Sequence, residues 1–256
     1  MSFFEWNWGL EFSFVGLGNY LELAASERFH IALWNTFVFA VAAVAVELTL
    51  GFGLALVVNR LGRGAALVRT LLLVPLMVSG IVVALIWKII LDPTLGPVNL
   101  VIRQLGIPPL GFLGDPAMGM ASIVLIDVWW QTAFVFIIFS AGLQAIPREP
   151  LEAAEVDGAG LLARLRYITL PLLAPITLVI ILFRTIDTMK VFAIIFGTTG
   201  GGPLTTTESV QILAYRTAFK QLSMGLSMTT MVIFAVVVLI LVLLLRRLGS
   251  GRGAIA

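Results

Sequence analysis

The chain has no cysteine and one histidine, His30, and charged residues make up only 12% of its 256 positions. Without cysteine there is no disulfide framework, no thiol nucleophile and no thiolate metal site. His30 stands at the start of an apolar segment with no second histidine, so we expect neither a metal site nor a histidine base. We therefore predict no catalytic residue and no metal ligand. No basic patch is interleaved with aromatic residues, so nucleic acid is not an expected partner.

The chain also lacks the glycine-rich loop that cradles nucleotide phosphates. Such a loop places a glycine directly before a lysine. The three lysines of this chain follow tryptophan, methionine and phenylalanine instead, and they are Lys88, Lys190 and Lys220. We therefore expect no cofactor in this chain, and any nucleotide site must lie on another polypeptide.

Apolar sequence is abundant: 60% of the residues are hydrophobic and the mean hydropathy is +1.07. In soluble proteins, by contrast, about a quarter of the residues are charged. Five stretches reach the length of about 20 residues that crosses the hydrocarbon layer, namely 31–58, 67–90, 120–146, 172–196 and 224–245. Helices are expected because an open sheet edge cannot satisfy its backbone groups in lipid. The sequence predicts an all-α membrane protein with five transmembrane helices.

Three groups of arginines flank these stretches and predict the orientation. Their members are Arg60, Arg63 and Arg69, then Arg148, Arg164 and Arg166, then Arg246, Arg247 and Arg252. In a five-span arrangement all three groups fall on one side, which should be the cytoplasm. This places residues 1–30 outside as an extracytoplasmic segment, 31–247 in the transmembrane domain and 248–256 in a cytoplasmic tail. The loops 91–119 and 197–223 lie outside, and a polar loop at 147–171 lies inside.

The polar loop is the longest cytoplasmic interruption of the apolar sequence. Prolines at 147 and 150 stop the preceding span, LEAAEV starts a new helix, and Gly158 and Gly160 bend the chain. LLARLRY then leads into the next span at Pro171. We predict a helix, a turn and a second helix, and we call residues 147–171 the shelf.

The spacing of residues in the shelf resembles a known signature. EAA is followed by glycine after three residues, and by I-x-L-P after nine more; the matching positions are Glu152, Ala153, Ala154, Gly158, Ile168, Leu170 and Pro171. Seven such matches arise by chance on the order of once in ten million windows. The pattern resembles that of inner-membrane permease subunits of ATP-binding cassette importers, and it implies their type I permease fold. In that family these residues, with Asp157 between them, form the coupling helix that docks on the ATPase subunit. Leu151, Ala154 and Gly158 share a small, smooth face suited to docking.

A second resemblance lies in the loop GTTGGGPLTTTES and the following YRTAF. Its glycines and hydroxyls predict a flexible, exposed loop. It is similar to the TGGGP loop of carbohydrate importer permeases of the maltose, lactose and glycerol-3-phosphate type. That resemblance implies that Gly200, Gly201, Gly202 and Pro203 lie near a docked solute-binding protein. The resemblance runs from about residue 14 to 247, and FVGLGNY at 14–20 resembles the segment that follows a further helix in the family. The usual leading helix is therefore expected to be absent from this chain.

The resemblance also implies partners and a location. We expect a second permease subunit, two ATPase subunits that bind ATP and Mg²⁺, an extracytoplasmic solute-binding protein and the lipid bilayer. The location it implies is the inner membrane of a bacterium or archaeon, crossed several times.

Polar residues inside the apolar stretches are candidates for the translocation path, since charges in hydrocarbon usually face the bundle interior or a wet path. They are Asn35, Glu47, Arg184, Asp187 and Lys190. The last three are spaced by three residues and share a side of the fourth span, where they either line the path or form a structural ladder of ion pairs. Glu47 can face the path, accept a hydrogen bond from a neighbouring helix, or be protonated.

Two alternatives to a carbohydrate importer stay open at this point. One is a secondary transporter driven by ions through Glu47 or Asp187, although the repeated halves typical of such proteins are not visible. The other is an importer permease for a different solute, such as glycerol-3-phosphate.

Overall fold

The computed structural model describes residues 1–9, 11–61 and 64–250. For residue 250 it describes only the backbone. Arg63, Arg252 and the predicted tail residues 251–256 lie outside the described residues. Among the described residues the helices are α1 (Gly18–Ala25), α2 (Glu27–Arg60), α3 (Ala65–Leu73), α4 (Gly80–Ile90), α5 (Pro97–Gln104), α6 (Gly119–Ala145), α7 (Glu149–Val156), α8 (Leu161–Arg164), α9 (Leu170–Met189), α10 (Ala193–Gly197), α11 (Val210–Phe219) and α12 (Met224–Ser250). Two short strands, β1 (Phe4–Glu5) and β2 (Ser13–Phe14), pair antiparallel. The prediction of an all-α membrane protein is confirmed.

Within the described ranges, four helices are long and apolar enough to cross a membrane, and they are Glu27–Arg60, Gly119–Ala145, Leu161–Met189 and Met224–Gly249. The predicted second span differs. It consists of Ala65–Met77 and Gly80–Ile90, which are bent by 97° against each other. Pro75 has no N–H to continue the helical hydrogen bonds, and Ser79 has an extended backbone at ψ 145°. The described part of the chain therefore has four unbroken candidate spans, and a fifth only if the bent pair counts as one.

The predicted fourth span, 172–196, is also shorter than expected at its C-terminal end. Helix α9 ends at Met189, and α10 starts anew at Ala193. Between them, Ser209 Oγ donates a hydrogen bond of 3.1 Å to the carbonyl of Val191. That carbonyl is bonded by a side chain distant in sequence, which the apolar pattern does not reveal.

The chain divides into two compact units. Unit 1 comprises Met1–Ala43, Val78–Asp127 and Ile186–Leu241. Its core is a cluster of buried apolar side chains, whose members are Leu23, Phe29, Ala32, Ala40, Met189, Val210, Leu213 and Phe234. Here α10 packs closely on α4. A Cβ added to Gly197 would lie only 2.6 Å from the Cβ of Ala84, so glycine permits this close approach.

Within unit 1 the N-terminal segment packs on the first turn of α12. The carbonyl of Trp6 accepts hydrogen bonds from the N–H groups of Met224, at 2.8 Å, and Gly225, at 3.1 Å. The side-chain amide of Asn19 donates to the carbonyls of Ser2 and Phe4. The segment thus provides acceptors for N–H groups that a helix start leaves without intrahelical partners.

Unit 2 comprises Val44–Met77, Val128–Thr185 and Val242–Ala256. Its core is a second apolar cluster, formed by Ala55, Val58, Ala65, Val135, Phe136, Phe139, Leu173 and Ile180. The described members of all three arginine groups fall in this unit. The cytoplasmic location of these arginines stays a prediction.

Candidate functional site

The shelf folds as the predicted helix, turn and helix. Helix α7 begins with a proline in its first turn and carries Glu149 and Glu152 there. Proline suits this place because the first N–H groups of a helix have no intrahelical partner, and acidic groups are favoured by the helix dipole.

Gly158 ends α7 in the left-handed conformation, at φ +78°. Its N–H bonds to the carbonyl of Glu155 at 3.1 Å, and the N–H of Ala159 bonds to that of Ala154 at 2.8 Å. This is the Schellman arrangement, in which a glycine after the helix lets the chain reverse. Nothing lies within 4 Å of a Cβ built on Gly158, so the backbone conformation, not lack of space, requires glycine.

The second helix of the shelf continues into the span without a break. Residues Leu161–Met189 form one helical run that contains a π-helical turn at Leu165–Thr169. The N–H of Leu170 bonds to the carbonyl of Leu165, five residues earlier. This wider turn lies directly before Pro171, whose ring conflicts with regular α-helical bonding. The predicted second shelf helix and the predicted span are therefore one continuous helix from Leu161, and the start of the membrane-spanning part at Pro171 stays a prediction.

Most signature residues of the shelf are exposed, but the predicted docking face is not the outward one. Glu152, Ala153, Asp157, Gly158, Leu170 and Pro171 are exposed, whereas Ile168 is half-buried. Leu151 and Ala154 are also half-buried, so only Gly158 of the expected smooth face is exposed. The apolar side chains that point outward are Val156, 89% exposed, and Leu162, 77% exposed. Arg164 Nη1 pairs with Glu155 Oε2 at 2.7 Å and ties the two shelf helices together.

Glu47 of α2 and Arg184 of α9 form a buried ion pair in unit 2. Arg184 Nε lies 2.6 Å from Glu47 Oε2, and Arg184 Nη2 lies 2.7 Å from Oε1. Their side chains are 0% and 1% exposed. The two-pronged geometry is the strong form of an arginine–carboxylate contact. The sequence predicted both residues as path candidates but did not pair them, because they are 137 positions apart.

The other path candidates have different surroundings. Asn35 donates to the carbonyls of Thr205 at 2.8 Å and Glu208 at 3.2 Å, so it holds a loop of unit 1. Asp187 and Lys190 are exposed. Lys190 lies beyond the end of α9 at Met189, so the expected row of three on one helix is wrong at its last member. For Asp187 and Lys190 the path assignment stays a prediction.

The glycine-rich loop is not the exposed loop that its composition predicts. Residues 198–209 are buried or half-buried except for Leu204, which is 84% exposed. Gly200 and Gly201 have φ of +60° and +97°, and the bond between Gly202 and Pro203 is cis. The hydroxyl of Thr207 donates to the carbonyl of Gly202 at 2.7 Å. Hydroxyl groups that the composition assigns to solvent thus form hydrogen bonds within the loop.

Glu208 organises this loop through partners that no local sequence pattern predicts. Its carboxylate is 0% exposed and accepts hydrogen bonds from two guanidinium groups. Arg28 donates to both oxygens, at 2.7 and 2.8 Å, and Arg216 donates to Oε1 at 2.7 Å. Arg216 also donates to the carbonyl of Gly200 at 2.7 Å. Arg28 is 180 positions from Glu208, so no local pattern could link them.

Comparison with known proteins places this geometry in a family. The sequence model described as "Binding-protein-dependent transport system inner membrane component" matches residues 47–250. The trehalose/maltose transport system permease protein MalF of Thermococcus litoralis is 39% identical over 202 residues, which cover 79% of this chain and 68% of that one. The sn-glycerol-3-phosphate transport system permease protein UgpA of Agrobacterium fabrum is 34% identical over 238 residues, covering 91% and 80%.

The fold also matches a solved structure. A crystal structure of a bacterial ABC transporter involved in the import of the acidic polysaccharide alginate contains a chain with a TM-score of 0.85. The match covers 93% of this chain and 84% of that chain, at 24% identity. At that identity the likeness concerns the fold.

Proposed function

The chain belongs to the family of binding-protein-dependent transport system inner membrane components, and we propose that it is the permease subunit of a carbohydrate importer. It is a membrane transport component, and it contributes half of a translocation path. Membership of this family favours transport driven by ATP over the ion-coupled alternative. Relatives named for trehalose and maltose support a carbohydrate as the solute.

The shelf is the proposed contact with a separate ATPase subunit. Its exposure carries this proposal: Val156 and Leu162 extend into solvent from the unit that contains the arginine groups. An exposed apolar patch with acidic neighbours suits a protein partner. The ion pair between Glu155 and Arg164 joins α7 to α8, and α8 continues into the span. A displacement of the shelf is therefore transmitted to the transmembrane helix.

The remaining partners follow from the same assignment. A second permease completes the path, two ATPase subunits bind ATP and Mg²⁺, and a solute-binding protein delivers the solute outside. The complex resides in the inner membrane of a bacterium or archaeon. The binding protein docks near Gly200–Pro203, and the exposed Leu204 beside them supports this position.

A charged side chain at Gly158 tests the coupling role. Gly158→Arg adds length and charge where the ATPase is proposed to dock, and we expect it to abolish solute uptake while the protein stays in the membrane. Gly106→Arg is the matched control, because Gly106 also has a positive φ, +75°, with nothing within 4 Å of an added Cβ. Both substitutions carry a similar backbone cost of about 1 kcal/mol.

Uptake of radiolabelled maltose, trehalose and glycerol-3-phosphate is measured with all partner subunits present. Loss of uptake in Gly158→Arg together with normal uptake in Gly106→Arg supports the assignment. Normal uptake in both would contradict the coupling role. Uptake of glycerol-3-phosphate but of neither sugar would contradict the carbohydrate assignment and leave the coupling role intact.

A further inference from the structure

A cavity of about 290 Å³ lies in unit 2, between α3 and α6. Leu73, Phe136 and Ile137 are among the residues that form its apolar walls, and Arg69, Ser140 and Gln144 supply polar groups. None of these residues belongs to the shelf, the glycine-rich loop or the buried ion pair. The cavity is therefore separate from every site described above.

Two buried polar atoms in the lining have no hydrogen-bond partner among the described residues. They are Arg69 Nε and Ser140 Oγ. Ser140 is only 6% exposed, and Arg69 is half-buried. Native structures leave few buried polar groups unpaired, and the positive charge of Arg69 favours an anionic partner for these donors. The lining of this cavity thus calls for a bound group that accepts hydrogen bonds and carries negative charge.

The lining also defines the chemical class of that group. A guanidinium is suited to phosphate oxygens, and a serine hydroxyl donates to the same kind of acceptor. The apolar walls suit a hydrocarbon chain rather than a sugar. Charge and apolar surface together fit an amphiphile with an anionic headgroup.

The position of the cavity fits the cytoplasmic leaflet. The described members of all three arginine groups lie in the same unit, as expected of the cytoplasmic side. This leaflet contains anionic lipids, and basic pockets between transmembrane helices on this side bind their headgroups. We propose that the cavity binds an anionic phospholipid, with Arg69 and Ser140 donating hydrogen bonds to its phosphate and Leu73 and Phe136 contacting an acyl chain.

The test counts lipid bound to the full chain, purified with its partner subunits in a mild detergent, by native mass spectrometry. Dioleoylphosphatidylglycerol, dioleoylphosphatidylcholine and inorganic phosphate are titrated separately. We expect the anionic lipid to bind at least tenfold more tightly than the zwitterionic one. Arg69→Gln should weaken binding of the anionic lipid about tenfold, which corresponds to about 1.4 kcal/mol. Arg60→Gln is the control, because Arg60 is an exposed arginine of the same unit outside the cavity.

Ser140→Ala provides a second variant that does not alter charge. It removes an unpaired hydroxyl, so folding is preserved, while binding of the anionic lipid should fall severalfold. Equal binding of the two lipids to the unaltered chain would overturn the proposal. So would an equal effect of Arg60→Gln and Arg69→Gln, or displacement of the lipid by inorganic phosphate at stoichiometric concentration. Loss of the second permease from Arg69→Gln with unchanged lipid binding would overturn it too, since the cavity would then receive a protein group.

Discussion

The ion pair of Glu47 and Arg184 permits a sharp test because the same unit contains an exposed pair of nearly equal length. The shortest N–O distance is 2.6 Å for Glu47 and Arg184, and 2.7 Å for Glu155 and Arg164. The side chains of the first pair are 0% and 1% exposed, whereas those of Glu155 and Arg164 are 68% and 24% exposed. Burial is therefore the variable that separates the two pairs.

The expected energies differ accordingly. Glu47→Leu leaves a buried arginine without this carboxylate, and removal of one partner of a buried pair costs about 3–5 kcal/mol. Glu155→Leu removes a pair whose carboxylate is solvent-exposed, and exposed pairs are worth about 0.2–1 kcal/mol. The free energies of unfolding should thus fall by amounts that differ by at least about 2 kcal/mol, or more than a factor of ten in the equilibrium constant.

Replacement of both partners distinguishes an unpaired charge from lost packing. Glu47→Leu with Arg184→Met removes both charges of the pair, and we expect most of the lost stability to return. The assay is unfolding in mixed micelles with increasing dodecyl sulfate, followed by tryptophan fluorescence, for the four members of each double-mutant cycle. Both residues make further contacts, so the coupling energy from the cycle is the quantity to compare. Equal costs for the two single variants, or a double variant that loses the sum of both, would refute the argument.

Two further perturbations test unit 1. Glu208→Gln removes the carboxylate charge that pairs with two guanidinium groups, and one of these, that of Arg28, is 38% exposed. We expect the free energy of unfolding to fall by about 2–3 kcal/mol, between the values for exposed and buried pairs. Proteolysis within 198–209 should become faster. Equal proteolysis of the variant and the unaltered chain would speak against this role. Gly225→Ala places a Cβ in steric conflict with the carbonyl oxygen of Phe4, whereas a Cβ at Gly53 meets nothing within 4 Å. The first should expose residues 1–9 to proteases, and the second should stabilise α2 by about 0.5–1 kcal/mol; the same cleavage rate in both would contradict the packing of the N-terminal segment.

The sequence predicts the spans and the shelf because both depend on local rules. Runs of about 20 apolar residues and the Gly158 turn are readable from composition and backbone preference alone. The bend of the second span cannot be predicted from hydropathy, which carries no information on the backbone: Pro75 and the extended Ser79 bend a segment that is apolar throughout.

The pairing of polar groups could not be predicted, since it depends on which helices meet. Glu47 and Arg184 are each readable as costly residues in hydrocarbon, but the contact joins positions 137 apart. The glycine-rich loop shows the same gap. Its composition resembles that of a solvated loop, yet Asn35 and Arg216 bond its carbonyls from other elements.

The shelf and the buried pair are connected by one helix, and this connection gives the pair a mechanical setting. The helical run that starts at Leu161 in the shelf reaches Arg184, and 23 helical steps span on the order of 35 Å. A displacement of the shelf is therefore transmitted along a hydrogen-bonded helix to a buried contact, and separation of Glu47 from Arg184 would break two short charge-assisted hydrogen bonds. This contact is stabilising when both hydrogen bonds are formed and costly when only one is broken. Movement of α9 relative to α2 near Arg184 therefore favours discrete arrangements over gradual ones. If the proposed ATPase contact at the shelf exists, the pair is a point at which that contact can select one arrangement of unit 2 over another.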